Sequence, residues 1–288
     1  MTRLRAGYKL AFLLGVSLLV GWRPVAETIR LSLKNEEYTH ILLIFPVSLA
    51  LIAMDWRLTK ITQRAGSKSS AIFLAVAIGI AAIATWEPGL RPDIRLTLAM
   101  LALVAWWVGS FIFCFGTELA RVFVFPLCFL LWMVPLPTAV VDWIIRALQE
   151  ASASCARLLF ALCSVPVSQD GLFLTIPGVT LEVAKECSSI RSSMFLWVTA
   201  ILLAQLLLRA AWRKLVVVAV AIPLAAAKNG LRIFVIGMLG TRVDPSYMTG
   251  SFHHHGGILF LLVAWVLVFF LLWTLRRGEV PRLAAAKS

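Results

Sequence analysis

Three polar clusters punctuate a chain that is otherwise almost continuous hydrocarbon: Lys185, Glu186, Cys187, Ser188 and Arg191; Lys228, Asn229 and Arg232; and the run His253, His254, His255. Ionisable groups at membrane depth are costly, so each cluster is a candidate functional site. A thiol, several cations and an imidazole suit nucleophilic chemistry. Cys187 stands just ahead of a long apolar run, where the start of a helix would present free backbone N–H groups and a partial positive charge. Both favour thiolate over thiol, and Lys185 and Arg191 add positive charge close by. The same spacing also fits a cysteine in a capping region beside an arginine whose stem lies along apolar surface.

Lys228 and Arg232 stand one turn apart in an apolar run that also holds Pro223, Gly230 and Gly237, residues able to kink or unwind a transmembrane helix. Facing a protein cavity, Asn229 and Arg232 would bind a carbonyl oxygen or a carboxylate; Arg232 alone would also fit an arginine reaching for the membrane surface. Adjacent residues on a helix diverge by about 100°, so three consecutive histidines rarely converge on one metal ion. One of them acting as general acid or base, and a solvated interfacial run, are the competing readings. No metal or cofactor is expected.

The elements that must position these groups are membrane helices. Of 288 residues, 61% are hydrophobic and 14% charged, with a mean hydropathy of +0.92, far more apolar than a soluble domain of this size. Apolar runs long enough to cross a bilayer occur near 8–26, 38–54, 70–86, 96–115, 119–135, 189–208, 214–239 and 256–275. The expectation is an all-α polytopic membrane protein of about eight transmembrane helices, its first run a retained anchor rather than a cleaved signal. The net charge of +13 is concentrated in particular loops and termini, which reads as a topology signal and not as a nucleic-acid surface.

Arg3, Arg5 and Lys9, the loop with Arg57, Lys60, Arg64 and Lys68, the loop with Arg209, Arg213 and Lys214, and the terminal Arg276, Arg277, Arg282 and Lys287 all belong in the cytoplasm by that signal. Both termini would be inside, which carries all three polar clusters to the outer face of a cell (inner) membrane. Cys114, Cys128, Cys155 and Cys163 show no CxxC pairing and read as small hydrophobes.

One membrane domain, 1–288, is the simplest parse, with scaffold spans in 1–135 and the chemistry in 136–275. Asp142, Arg146 and Glu150 at spacings of four, with Trp143, Ile144, Leu148, Leu158 and Leu159, predict an amphipathic helix over about 138–164, interfacial or re-entrant on the outer face. Residues 172–176 and 179–183 flank Pro177-Gly178 and predict a short β-hairpin leading to Cys187.

The string Glu186-Cys187-Ser188-x-x-Arg191-Ser192, then Asn229-x-x-Arg232, then a histidine four residues before Gly257 on a final span, resembles the exosortase/archaeosortase family. The resemblance covers roughly residues 130–270, and Asp170-Gly171 ahead of the hairpin shares it. Ser189 stands where many members have glycine, and the histidine run leaves the register of the third motif open. The resemblance implies a polytopic cysteine transpeptidase or protease. In it Cys187 matches the nucleophile, Arg232 the essential arginine and His253 the third residue, with His254 as fallback; Glu186, Ser188, Arg191, Asn229, Lys228 and Asp170 take supporting places. It further implies substrates with C-terminal sorting signals of the PEP-CTERM type, on exported proteins that are then anchored or released. Expected partners are those tails and membrane lipids, with no nucleic acid. A transporter of an anionic solute, or a lipid-linked glycan transferase or flippase, would use the same outer-face cations without needing Cys187.

Overall fold

The computed structural model describes residues 2–56, 68–183, 190–249 and 257–279. The chain falls into two compact units, Met1–Val141 and Asp142–Ser288. Among the described residues, six helices are long and apolar enough to cross a membrane, or up to eight if each of two bent pairs is one span, which is the all-α polytopic architecture expected from the apolar runs.

In the first unit, α1 (Thr2–Val20) is followed by α2 (Trp22–Lys34), α3 (Ile41–Trp56), α4 (Lys68–Trp86), α5 (Pro92–Phe115), α6 (Thr117–Val122) and α7 (Val124–Phe129). Two of the expected straight spans are corrected. The run 8–26 bends by 75° after Val20. There Gly21 donates to the Ser17 carbonyl at 2.8 Å, and a Cβ at Gly21 would lie 3.0 Å from that oxygen. Beyond the bend, Arg23, Glu27, Arg30 and Lys34 are exposed while Thr28 and Ser32 are buried, so α2 is amphipathic rather than a continuation of the span. The run 119–135 is likewise no single helix: it breaks at Phe123 between α6 and α7 and tightens into a 3₁₀ turn over Leu130–Met133.

Residues 135–138 form a proline-rich connector, whose backbone lacks donors at Pro135 and Pro137. Its polar groups are taken up from elsewhere in the unit: Tyr38 Oη donates to the Leu136 carbonyl at 3.0 Å and Thr97 Oγ1 to the Pro135 carbonyl at 2.7 Å. The Asp93 carboxylate accepts both the N–H and the hydroxyl of Thr138, at 3.0 and 2.7 Å. The core of this unit is aromatic. Phe111, Phe115 and Phe123 pack with Trp56, the Trp56–Phe115 rings lying edge to face at 5.0 Å.

The amphipathic stretch is α8 (Thr138–Leu162), a 25-residue helix. Within the second unit its Ile145, Leu148, Ala153, Ala156 and Phe160 are buried, while Asp142, Arg146, Glu150 and Arg157 are exposed. The predicted hairpin is present as β2 (Phe173–Ile176) and β3 (Val179–Glu182), antiparallel with Ile176 opposite Val179. Gly178 at φ +90° supplies the left-handed position after Pro177. A third strand not anticipated from sequence, β1 (Ser168–Asp170), pairs antiparallel with β2. Three long helices complete the unit: α9 (Ile190–Leu207), α10 (Ala211–Arg242) and, after the one-turn α11 (Ser246–Thr249), α12 (Gly257–Arg277).

The helix α10 is the single span expected over 214–239. Pro223, Gly230 and Gly237 do not unwind it: all three lie inside one continuous helix of 32 residues. The glycines admit close neighbours instead. A Cβ at Gly230 would lie 2.5 Å from Cys155 Cβ and 2.9 Å from the Ser152 carbonyl, and one at Gly237 would lie 2.8 Å from Phe160 and Leu181. The backbone of α10 thus approaches α8 and the sheet more closely than any larger residue permits. Alanines serve the same purpose on the other side, where Ala200 and Ala204 of α9, Ala221 and Ala225 of α10 and Ala264 of α12 share one core with Leu196, Val268 and Leu272. Of the cysteines read as small hydrophobes, Cys114 is buried and Cys155 half-buried, whereas Cys128 and Cys163 are exposed.

The loop between α9 and α10 is closed by charge. Glu279, just past α12, accepts the N–H of Arg209 and of Ala210, the latter at 2.9 Å. Arg213 donates to the carbonyls of Leu275 and Gly278. These backbone donors, the Ala210 N–H first, hold the Glu279 carboxyl below the usual glutamate range.

Candidate active site

The α10 residues Ala225, Asn229, Arg232, Ile236 and Gly240 recur at intervals of three and four, and all are buried. On that buried face Asn229 is 1% exposed and Arg232 6%, with Lys228 beside them at 5%. A lysine and an arginine buried together need polar neighbours, because each charge has left water. Lys228 Nζ donates to Asn229 Oδ1 at 2.9 Å and to Ser192 Oγ. The second bond reaches from α10 to the first turn of α9, five residues beyond Cys187 in the chain. The amide of Asn229 is thereby oriented: with its oxygen turned to Lys228, its NH₂ is left to donate elsewhere.

The surroundings of this face are small. Gly230 sits against Ser152, Cys155 and Ala156 of α8, one residue from Asn229, and Ile233 shares a core with Ala153, Phe160, Leu174 and Val183. The helix α8 and the sheet therefore form the wall from which the Asn229–Arg232 turn is seated. Gln149 of α8 belongs to that wall, 6% exposed, and its Nε2 donates to the Val183 carbonyl at 2.6 Å.

The structure thus brings together Lys228, Asn229, Arg232 and Ser192. Arg191 is exposed on the first turn of α9, and Asp170 is exposed at the end of β1, beside the Gly171 turn at φ +57°. Glu186, Cys187, Ser188, His253, His254 and His255 lie outside the described residues. Sequence reasoning missed two participants. Ser192 stood in the motif without a role, and its role is to accept from Lys228. Gln149 was passed over, although it stands as a lone amide in the stripe Ile145, Leu148, Ser152, Ala156 of an amphipathic helix.

A family model described as transmembrane exosortase (Exosortase_EpsH) matches residues 10–270. The chain belongs to the transmembrane exosortase family. That span takes in all six apolar helices apart from the last turns of α12, together with α8 and the sheet. Exosortases are membrane proteases and transpeptidases concerned with sorting-signal processing, so this is a multi-pass membrane protein of that family. No curated protein and no solved structure matches the chain.

Proposed function

We propose that this exosortase-family protein is a cysteine transpeptidase or protease that cleaves C-terminal sorting signals of the PEP-CTERM type from exported proteins. The observation that carries the reading is the buried Lys228–Asn229–Arg232 cluster, inside the family-matched span and bonded to the first turn of the helix that follows Cys187.

Membrane helices rarely bury two cations one turn apart without a use for them. In the proposed reaction the Cys187 thiolate attacks the scissile carbonyl, and the bond to the leaving peptide breaks to give an acyl-thioester. Arg232, with the NH₂ of Asn229, stabilises the charge that develops on the carbonyl oxygen. Lys228 holds Asn229 in the orientation that makes its NH₂ the donor. His253 or His254 transfers a proton to the leaving amine and accepts one from the incoming nucleophile, which restores the free thiol. The attacking amine or water decides between anchoring and release.

Such a tail is met where it leaves the bilayer, and the distribution of Lys and Arg among the loops supports a site on the outer face of the inner membrane, with both termini cytoplasmic. Reporter fusions to each loop test the orientation. The chemistry is tested by co-expressing a PEP-CTERM-tailed reporter with the parent and with Cys187→Ala, Arg232→Ala, His253→Ala and His254→Ala at matched membrane levels, following reporter size by immunoblot. Processing should vanish with Cys187 and Arg232 and with one of the two histidines. Normal processing by Cys187→Ala would sink covalent thiol catalysis and leave the cations to a transporter or a lipid-phosphate site.

A further inference from the structure

We propose that α2 is an interfacial helix that docks on anionic phospholipid at the membrane surface where α1 ends.

The 13 residues of α2 divide into three stripes around its axis. One stripe faces the protein: Thr28 and Ser32 are buried, Pro24 and Leu31 half-buried, and α2 packs there against α3 and α5. Ser32 Oγ donates to the Thr28 carbonyl at 2.8 Å, so this hydroxyl is satisfied within the helix. A second stripe holds Trp22, Ala26, Ile29 and Leu33, and its large side chains are exposed by 45% to 71%. The third adjoins it at the same spacing with Arg23, Glu27, Arg30 and Lys34, all exposed.

An exposed apolar stripe beside a row of cations is the surface of a helix lying in the headgroup region. Its apolar residues enter the boundary with the acyl chains, and its long basic side chains reach back to the phosphates. Trp22 suits that boundary, with an apolar ring and a polar indole N–H. The Arg23 guanidinium lies 5.7 Å from the centroid of the Trp22 ring, joining the two stripes at the start of the helix. Three cations against the single Glu27 carboxylate leave α2 at a net +2, which complements an anionic surface. Arg23 and Lys34 stand about 16 Å apart along the axis, so the row spans more than one headgroup.

The bend sets the attitude of the helix. With 19 residues, α1 covers about 28 Å, close to the hydrocarbon thickness of a bilayer. The 75° turn then carries α2 off the axis of α1 and toward the membrane plane. Running on across the bilayer would instead put four ionisable side chains of α2 into hydrocarbon. A second protein chain is a poor occupant, because Trp22, Ile29 and Leu33 fall well short of the roughly 800 Å² per partner that a stable interface buries.

The test places a nitroxide at Ile29, Leu33, Glu27 or Lys34 of the full-length chain in liposomes, on an encoded keto amino acid that spares the native cysteines. Collisions with oxygen report lipid, and collisions with a water-soluble nickel chelate report solvent. With about one third phosphatidylglycerol in the bilayer, labels at Ile29 and Leu33 should meet oxygen and be shielded from nickel, and those at Glu27 and Lys34 the reverse. Exchanging phosphatidylglycerol for phosphatidylcholine should raise nickel access at Ile29 and Leu33 by at least about threefold. The variant Arg23→Gln/Arg30→Gln/Lys34→Gln should show the raised access in both lipids. Free nickel access at Ile29 and Leu33 in the anionic bilayer overturns the docking. Shielding from nickel at all four sites overturns it too, by placing α2 inside the hydrocarbon. Spin–spin broadening at Leu33 that dilution with unlabelled chain relieves overturns it in favour of a second copy. Equal access in the two lipids removes the preference for anionic headgroups and with it the choice of partner.

Discussion

The two units bury different kinds of side chain. Among the described residues of Met1–Val141 the buried Ser and Thr side chains are Thr28, Ser32, Ser48, Ser70 and Ser110, and a core of this unit is built on bulky Phe111, Phe115 and Phe123. In Asp142–Ser288 the buried polar side chains include Gln149, Asn229, Lys228, Arg232 and Arg213, set among alanines and glycines. Aromatic cores fill the space between helices by bulk. Small-residue cores bring backbones together, so a few long polar side chains can cross from one element to the next and be satisfied. The difference teaches where chemistry can be housed: the second unit is built for a buried polar site and the first for shape.

Substitutions can break that contrast. The largest expected effect is on Arg232→Ala, which should lower tail processing by about 10²- to 10³-fold with membrane level unchanged; a matched Ser110→Ala should leave processing intact, and equal losses would erase the division of labour. Next, Phe123→Ala should cost about 3–5 kcal/mol of stability through the cavity it leaves, visible as a lower midpoint of detergent denaturation, while kcat of the surviving enzyme stays within about twofold. Gly230→Ala should cost about 1–3 kcal/mol, because its Cβ would meet Cys155 Cβ at 2.5 Å and a backbone oxygen at 2.9 Å. Gly79→Ala, with nothing within 4 Å, should be neutral or slightly stabilising on the same assay.

The smallest effect sharpens the comparison at the edge of the second unit. Glu279 has its folded pKa held low by the Ala210 and Arg209 N–H groups, so its contribution is present above the ordinary glutamate pKa and is lost as pH falls through the folded value. Glu279→Gln should therefore lower the melting temperature by about 2–4 °C at neutral pH, with the gap to the parent closing in acid. A gap that widens in acid would contradict the sign.

How much of this was legible beforehand differs by element. Apolar run length announced α3, α4, α5, α9, α10 and α12, because a membrane helix satisfies its own backbone and needs little else. Pro177-Gly178 announced the β2–β3 turn through the one backbone angle it demands. The three-residue β1 carried no alternation to read, and its existence depends on β2 offering an edge. The bend at Gly21 departs from the expected run 8–26 while α10 runs unbroken through Pro223, Gly230 and Gly237, and one reason covers both: a glycine, or the proline at 223, permits several outcomes, and the neighbours decide among them. For Gly21 the neighbour is the Ser17 carbonyl, and for Gly230 it is α8. In the candidate site, Lys228, Asn229 and Arg232 could be picked out by the cost of burying them. Gln149 could not, since a single amide in an amphipathic helix gains meaning only when the Val183 carbonyl is found opposite it.

The charged turn of α10 also bears on how the protein is made. A lysine and an arginine near the middle of a helix together oppose its release into lipid by about 5–7 kcal/mol on insertion scales. The Ala, Val and Ile around them offset that only in part. The hydroxyl of Ser192, on the preceding helix, emerges from the ribosome first and is the acceptor that Lys228 finds. When α9 and α10 enter the bilayer together as a hairpin, that acceptor makes the charged turn cheaper to bury than it would be for α10 alone.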